Sequence, residues 1–139
     1  MKNRSVLLAL VLSIGLFATS CSKDNDGETL APLPAKWNLT KVGTTLNGQE
    51  TLIDAPQNED GCNKDYLDLN IDNTASKGDY DSTVSACALD ANPGIYSRSH
   101  NNLTTVFDGV TKVQDIVNLT LTELKLKDAN GVIEVYVKD

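Results

Sequence analysis

Histidine and cysteine, which carry much of the covalent and metal chemistry of proteins, number only four in this chain of 139 residues: one histidine and three cysteines. A serine- or cysteine-based catalytic site needs a histidine as general base, so it would have to use His100. His100 lies in Ser99-His100-Asn101-Asn102, which is typical of a hairpin tip, and the sequence shows no nucleophile elbow or oxyanion loop. We therefore predict no catalytic residues and a protein that is not an enzyme.

Acidic side chains form two clusters that could bind calcium. One is the stretch Asp24–Gly27, and the other is Asn58–Asp60 with its neighbours. A calcium loop closes with a glutamate at its twelfth position, and neither cluster has this spacing. Acidic loops also suit the surface of an acidic soluble protein. We predict solvated loops at both places, no metal site and no cofactor.

The charge of the chain excludes one large class of partner. Asp and Glu number 19 against 12 Lys and Arg, which gives a net charge of −7, and no basic run interrupts this excess. Such a protein repels the phosphate backbone, so we predict no nucleic-acid partner. Hydrophobic residues make up 40% and charged residues 22%, a globular composition, and the length suffices for one compact domain.

The first residues have the organisation of a secretory signal peptide. Lys2 and Arg4 precede an apolar run over residues 6–19, which is shorter than the roughly 20 residues that cross a bilayer core. Small residues then stand directly before Cys21. This order of basic start, apolar run, small residues and cysteine is similar to the lipobox of bacterial lipoproteins.

The resemblance to the lipobox implies that Cys21 carries a diacylglycerol and that residues 1–20 are removed as a signal peptide. Ala18 stands where the lipobox favours leucine, and the alternative is an ordinary signal peptide followed by an incidental cysteine. Two or three acyl chains anchor a protein firmly in a membrane, at about 0.8 kcal/mol per buried CH₂. We therefore expect the membrane as a partner, through a lipid anchor.

Residues 21–35 are predicted to form the acylated cysteine and an acidic tether, because they contain Pro32 and Pro34 and no apolar periodicity. Within the tether, Lys23–Asp26 is similar to the export signal of surface-exposed lipoproteins in one Gram-negative phylum. The alternative is a solvated linker. We expect the protein in the outer membrane, lipid-anchored and exposed at the cell surface.

Cys62 and Cys87 are the cysteines of the region beyond the tether, and they could act as metal ligands, as a nucleophile or as a disulfide. A secreted chain meets an oxidising compartment, and no Cys-x-x-Cys motif supports a zinc site. We predict a disulfide. The strands on either side of residues 72–78 are expected to form a hairpin in which the numbers of paired residues sum to 149. Leu69 then lies opposite Tyr80, and the two cysteines lie opposite each other.

Apolar residues recur with a period of two beyond residue 35, and no stretch there has the 3.6-residue period of a helix. Leu67, Leu69 and Ile71 share one face of a clear strand. Further strands are predicted over residues 37–42, 49–53, 80–86, 95–99, 103–107 and 113–119, the last with a bulge near Asp115. Short strands with close turns between them indicate an all-β sandwich or barrel.

The last hairpin can be tested by its register. Asn130-Gly131 is typical of a two-residue type I′ turn. Such a turn pairs residues of the two strands whose numbers sum to 261. Apolar residues then oppose apolar residues and opposite charges meet. The expected pairs are Leu126 with Val135, Leu124 with Val137, and Lys127 with Glu134.

Several fragments, in order along the chain, resemble the lipocalin-like domain of small bacterial outer-membrane lipoproteins. They are Lys36-Trp37-Asn38-Leu39-Thr40, the stretch from Cys62 to Leu69, Gly94-Ile95-Tyr96, Asn102-Leu103-Thr104 and Ile116-Val117-Asn118-Leu119-Thr120. Ala35 and Tyr96 depart from the family, which has glycine and tryptophan there. The resemblance implies a small eight-stranded antiparallel up-and-down barrel over residues 36–139, with no established reaction.

The same-face positions of the predicted strands indicate what fills such a barrel. We expect an interior of Leu39 or Trp37, Leu67, Leu69, Leu103, Phe107, Leu124, Leu126, Val135 and Val137. None of these is ionisable, so an apolar lumen is expected. The candidate ligand-binding residues are Trp37, Leu67, Leu69, Leu103 and Phe107.

The function predicted from these features is a non-enzymatic, envelope-bound module that binds a small apolar or amphipathic molecule. An eight-stranded barrel can hold one small ligand or be filled by its own side chains. The alternative is therefore a solid barrel that docks an envelope protein partner in an outer-membrane complex.

Overall fold

A computed structural model describes residues 31–139 of the chain. The predicted signal peptide over residues 1–20, the lipidation of Cys21 and the export signal at Lys23–Asp26 lie outside the described residues, as does most of the predicted tether. Within the described part, no helix is long and apolar enough to cross a membrane.

The described chain folds into nine antiparallel β-strands, which confirms the all-β prediction. Short polar turns join most of them, and the alternation of inward and outward side chains sets the burial pattern of each strand. The strands are β1 (Ala35–Leu46), β2 (Gln49–Asp54), β3 (Tyr66–Leu69), β4 (Thr74–Asp81), β5 (Ala88–Ser99), β6 (Asn102–Phe107), β7 (Val110–Leu119), β8 (Glu123–Asp128) and β9 (Val132–Lys138).

Eight of these strands close a barrel. From β3 to β9 each strand pairs with the next, and β1 pairs with both β3 and β9, so β1 and β3–β9 leave no open edge among themselves. The strand β2 is an addition: it pairs with residues 41–46 of β1, beyond the part of β1 that contacts β3. The prediction of an eight-stranded antiparallel up-and-down barrel is confirmed.

The barrel has two distinct ends. Residues 31–34 enter at the end that also holds the turns at 70–73, 100–101 and 120–122, which we call the N-terminal end. The opposite end, the distal end, holds the connections at 47–48, 55–65, 82–87, 108–109 and 129–131. Each side chain can therefore be placed by its strand and by its distance from these ends.

The apolar core occupies the N-terminal half of the barrel. Its fully buried side chains are Trp37, Leu69, Leu103, Leu119, Leu124 and Leu126. The indole Nε1 of Trp37 donates a hydrogen bond to the carbonyl oxygen of Leu33 at 2.8 Å, so the segment before β1 is fixed against this end. The hydroxyl of Tyr96 donates to the carbonyl oxygen of Asn70 at 2.7 Å and ties down the adjacent turn.

The β8–β9 hairpin differs from the expected register by one residue. Lys127 pairs with Ile133 and Leu126 with Glu134, so partners sum to 260 and the prediction of 261 is wrong. A type I′ turn needs positive φ at both central residues, but at the tip only Gly131, with φ of 81°, has it. The Asp128 carboxylate instead accepts hydrogen bonds from the backbone N–H of residues 130 and 132, which builds a longer loop with glycine at its left-handed position.

This shift turns the odd-numbered residues of β9 outward. Val135 and Val137, expected inside, face the exterior, and Val137 is 41% exposed. Ile133 also faces outward, yet it is fully buried because it pairs with Gly43, over which the side chain of Leu52 lies. The β1–β2 hairpin therefore covers part of the outer face of β9.

The β3–β4 hairpin is also tighter than predicted. Its partners sum to 144 rather than 149, because β4 begins at Thr74 directly after a short turn in which the Asp72 carboxylate accepts the backbone N–H of Thr74 at 3.0 Å. Ile71, expected on the buried face, lies in this turn and is 89% exposed. The strand expected over residues 80–86 is mostly loop, since β4 ends at Asp81.

The irregularity predicted in β7 is present but displaced. The register between β7 and β8 shifts between Ile116 and Asn118, so the bulge lies at Val117 rather than near Asp115. The extra residue allows Ile116 and Leu119, three positions apart, to be buried together in the core.

Candidate functional site

A cavity of about 310 Å³ lies inside the distal half of the barrel, above the packed core. Its apolar wall consists of Leu67, Phe107, Val110 and Tyr136. Its polar wall consists of Lys77, Asn92, Thr105, Lys112, Gln114 and Glu134. Asp108, in the β6–β7 turn, lies at its rim, so the cavity opens toward the distal end.

The strand register explains why these side chains meet. Leu67 pairs with Lys77 and Lys77 pairs with Asn92, so three neighbouring strands each contribute one inward residue at the same level. On the opposite side Thr105 pairs with Lys112. Cross-strand partners of an antiparallel pair point to the same face. The interior therefore carries a polar belt directly above its apolar floor.

Glu134 is the best-connected group of the cavity. Its carboxylate accepts hydrogen bonds from Lys112 Nζ at 2.9 Å, from Gln114 Nε2 at 2.9 Å and from the Tyr136 hydroxyl at 3.3 Å. Burial alone would raise the pKa of Glu134, but the bonds from Gln114 and Lys112 outweigh it and hold the pKa below its ordinary value. The carboxylate is thus a fixed negative charge that is already partnered.

Tyr136 is kept as a neutral donor. Its side chain is buried, and burial together with the neighbouring charge of Glu134 raises the pKa of the phenol well above its usual value. The ring contributes apolar surface to the cavity while the hydroxyl orients Glu134. Nothing in this arrangement activates a nucleophile; it supplies a shaped wall with oriented polar groups.

A second cavity of about 210 Å³ adjoins the first and shares Lys77, Glu134 and Tyr136 with it. Asp65 and Asp79 line its other side. Burial, with the nearby charge of Asp79, raises the pKa of the Asp65 carboxyl, although the carboxylate accepts the backbone N–H of Tyr80 at 2.9 Å. The two carboxyl groups and Lys77 make this side of the mouth strongly polar.

The loop over residues 55–65 crosses the distal end beside this second cavity. Asn58 fixes it to the barrel, donating to the carbonyl oxygen of Leu39 at 2.8 Å and accepting the N–H of Asp65 at 2.9 Å. Glu59 accepts hydrogen bonds from the backbone N–H and the hydroxyl of Ser82 at 3.2 and 2.6 Å. These bonds join the loop to the β4–β5 connection.

The predicted disulfide is present and strengthens the same junction. Cys62 and Cys87 are bonded, with their Cα atoms 5.3 Å apart. It links the 55–65 loop to the end of the β4–β5 connection and is not a cross-strand pair of the β3–β4 hairpin, whose register differs from the expected one. The loop beside the mouth is therefore held covalently.

Of the five candidate ligand-binding residues, the structure brings Leu67 and Phe107 to the cavity. Trp37, Leu69 and Leu103 lie in the packed core toward the N-terminal end and do not line it. The expectation of a lumen without ionisable groups was wrong, because Lys77, Lys112 and Glu134 face inward. The even-numbered residues of β9 would have revealed Glu134 and Tyr136 if its register had been assigned correctly.

The other sequence features have structural roles. His100 lies at the β5–β6 turn with φ of 53°, as predicted for a hairpin tip. Asn58 and Glu59, considered above as calcium ligands, hold the 55–65 loop through hydrogen bonds. Within residues 31–139, no three His, Cys, Asp or Glu side chains gather in a way that could hold a metal ion.

Comparison with known proteins agrees with this architecture. Two solved structures have the same fold: a lipocalin-like protein from Bacteroides uniformis ATCC 8492, with a TM-score of 0.58 and 13% identity, and an uncharacterized protein from Bacteroides eggerthii DSM 20697, with 0.57 and 10%. The first match covers 77% of this chain and 98% of the other, and the second 78% and 100%. No curated protein matches the chain. The family of lipocalin-like domains matches residues 33–126, and the chain belongs to this family.

Proposed function

We propose that this protein is a lipid-anchored lipoprotein of the outer membrane whose barrel binds a small amphipathic molecule in the distal cavity. The observation that carries the proposal is the cavity itself, in which an apolar wall faces a belt of polar side chains. Lipocalin-like folds usually belong to non-catalytic binding proteins, and this supports binding rather than a reaction.

The size and lining of the cavity favour a small ligand. Ligand pockets commonly measure about 300–1,000 Å³, and the 310 Å³ found here is at the lower end of that range. Leu67, Phe107 and the ring of Tyr136 offer apolar contact, worth about 25 cal/mol per Å² buried. The polar belt offers orientation, which a purely apolar lumen would lack.

Binding can be tested with N-phenyl-1-naphthylamine, a neutral fluorophore that brightens in apolar surroundings. We expect one molecule to bind per barrel, and the Leu67→Trp variant to lose binding because the indole fills the cavity. Phe107→Trp, at a less buried position, is a second variant if the first does not fold. Val113→Trp, on the outward face of β7, is the matched control and should bind as the unmodified protein does.

Two results would overturn binding in the cavity. Equal fluorescence of the unmodified protein and both inward variants would place the probe elsewhere. No binding at all, with folded protein, would favour the alternative of a docking protein, whose partner would be a protein of the envelope.

The lipid anchor is proposed from the sequence around Cys21. Mass spectrometry of the mature protein should find an N-terminus at Cys21 that carries acyl chains. Cys21→Ser should leave the protein unprocessed or free of the membrane fraction. An unmodified Cys21, or a mature chain that starts elsewhere, would contradict the proposal.

Surface exposure is proposed from Lys23–Asp26, directly after the anchor. Protease added to intact cells should remove the barrel domain. Replacement of Lys23, Asp24 and Asp26 by alanine should protect the domain while membrane attachment persists. Equal sensitivity or equal protection of the two forms would remove the support for an export signal.

A further inference from the structure

The charged side chains that line the cavity are Lys77, Lys112 and Glu134, with Asp108 at the rim. Lys112 and Glu134 form an ion pair at 2.9 Å and neutralise each other. Lys77, the other inward lysine of the wall, forms no ion pair with any residue that the structure describes. The wall therefore carries one cation whose charge is not matched by direct contact.

The unpaired cation lies beside further free donors. Asn92 is the direct cross-strand partner of Lys77 and faces the same cavity, so the ammonium and the side-chain amide are neighbours. Neither side chain donates a hydrogen bond to the described part of the protein. Lys112, which uses one contact for Glu134, retains donors of its own. Lys77, Asn92 and Lys112 thus each have donors that a ligand in the cavity could use.

We infer that the cavity selects amphipathic anions, with Lys77 receiving the acidic group, Asn92 donating a second hydrogen bond, and Leu67 and Phe107 contacting the apolar part. Charge-assisted hydrogen bonds to an acidic oxygen are roughly twice as strong as neutral ones. Lys77 is then a specificity-determining residue. The inference rests on the proposed function, which it makes more specific.

The carboxyl groups near Lys77 oppose this assignment in part. Asp65 and Asp79 line the adjoining cavity, and Asp108 lies on the rim. None of them forms an ion pair with Lys77, although the charge of Lys77 acts on Asp65 and opposes the rise of its pKa. The Asp65 carboxylate also accepts a hydrogen bond from the N–H of Tyr80. With a net charge of −7 for the chain, the long-range field disfavours anions. A preference for an anion would therefore have to arise from local contacts with Lys77 and its neighbours.

The test compares three ligands of one chain length and shape: decanoate, decanol and decylammonium. Their affinities are measured by displacement of N-phenyl-1-naphthylamine from the same protein at fixed ionic strength. We expect decanoate to bind about tenfold more tightly than decanol, and decylammonium more weakly than either. In Lys77→Gln, decanoate should fall to the affinity of decanol, whose own affinity should be unchanged.

Lys127→Gln is the control for net charge. Lys127 is on the outward face of β8, opposite Ile133, and its replacement removes one positive charge without touching the cavity. The decanoate preference should persist in this variant. An equal loss in both variants would mean that the preference reflects the overall field, and the role of Lys77 would be refuted.

The remaining outcomes separate the two proposals. If the neutral probe and decanol bind but decanoate shows no preference, the inference about anions fails and the proposed function stands. If decylammonium binds most tightly, Asp65 and Asp79 dominate the site and the inference is refuted. If no ligand and no probe binds to folded protein, the proposed function itself fails.

Discussion

The ammonium nitrogen of Lys112 on β7 lies 2.9 Å from the carboxylate of Glu134 on β9, although β8 runs between their two strands. The contact is possible because β8 ends at Asp128, near the distal end, and both side chains lean across the interior. Gln114 bonds to the same carboxylate. This arrangement makes a charged pair part of the cavity wall rather than part of the outer surface.

Glu134 should make stability depend on pH. Its pKa in the folded protein lies below the ordinary value of 4.5, so the ionised form is favoured by folding. Its contribution is complete above about pH 4.5 and is lost as the pH falls through the lower folded pKa. Chemical unfolding measured between about pH 3 and pH 7 should show a smaller acid-induced loss for Glu134→Gln.

The same substitution should cost about 1 kcal/mol at neutral pH, since the amide keeps a hydrogen bond to Gln114 or Tyr136 and loses the charge that pairs with Lys112. Glu123→Gln serves as the comparison, because within residues 31–139 the Glu123 carboxylate accepts a side-chain hydrogen bond from Asn118 alone. Identical pH profiles for Glu134→Gln and the unmodified protein would contradict the ion-pair assignment.

Asp65 should titrate above its ordinary value of 3.8, because it is buried and lies near Asp79. Its raised pKa has the opposite effect on stability: the folded state binds the proton more tightly, so this group favours folding more as the pH falls through the raised pKa. NMR of the carboxyl carbon should show a lower pKa for Asp65 in Asp79→Asn. Asp68→Asn, on the outward face of β3, should leave it unchanged.

The disulfide should contribute about 3 kcal/mol to the free energy of unfolding, as expected for closing a loop of this length in the chain-entropy model. Cys62 and Cys87 are separated by 25 positions in the sequence. The Cys62→Ser, Cys87→Ser double variant and the reduced protein should show the same lower stability in denaturant titrations. Two alkylatable thiols in untreated native protein would exclude the bond.

Gly78 should resist substitution because the ring of Tyr66 lies over it. A Cβ at position 78 would overlap the ring of its cross-strand partner. Gly78→Ala should therefore cost about 1–3 kcal/mol, the usual range for overpacking. In a Tyr66→Ala background the same change should cost much less, and a double-mutant cycle measures this coupling. Additive losses would show that the ring contact is not the cause.

The sequence predicts the barrel well where a strand is buried on one face only. Leu67 and Leu69 alternate with half-buried polar residues, and both are buried inward as expected. The strand β9 is different, because Ile133 and Val135 are buried on its outer face and Tyr136 on its inner face. With apolar residues on both faces, the hydrophobic pattern does not fix which face of β9 turns inward, and cross-strand matching favoured the register that is not formed.

The decisive information for that register is the local chemistry of the turn. Asn130-Gly131 locates the turn correctly, but the carboxylate of Asp128 captures two backbone N–H groups and lengthens the loop. Because the expected register was wrong by one residue, Val135 and Val137 were expected inside the barrel. Glu134 and Tyr136 occupy those inward positions and line the cavity. Glu134 and Tyr136 were hidden from the sequence for that reason, whereas Lys77, Asn92 and Lys112 lie on other strands.

The path of the chain into the barrel has a consequence for how a ligand arrives. Residues 31–34 join the N-terminal end, and the cavity opens at the distal end. With the proposed anchor, the residues between Cys21 and Ala35 reach at most about 50 Å when fully extended, and they hold the closed end of the barrel. The attachment to the membrane would then be at the end of the barrel opposite the cavity mouth. If the protein is also exposed at the cell surface as proposed, molecules dissolved outside the cell would reach this mouth directly.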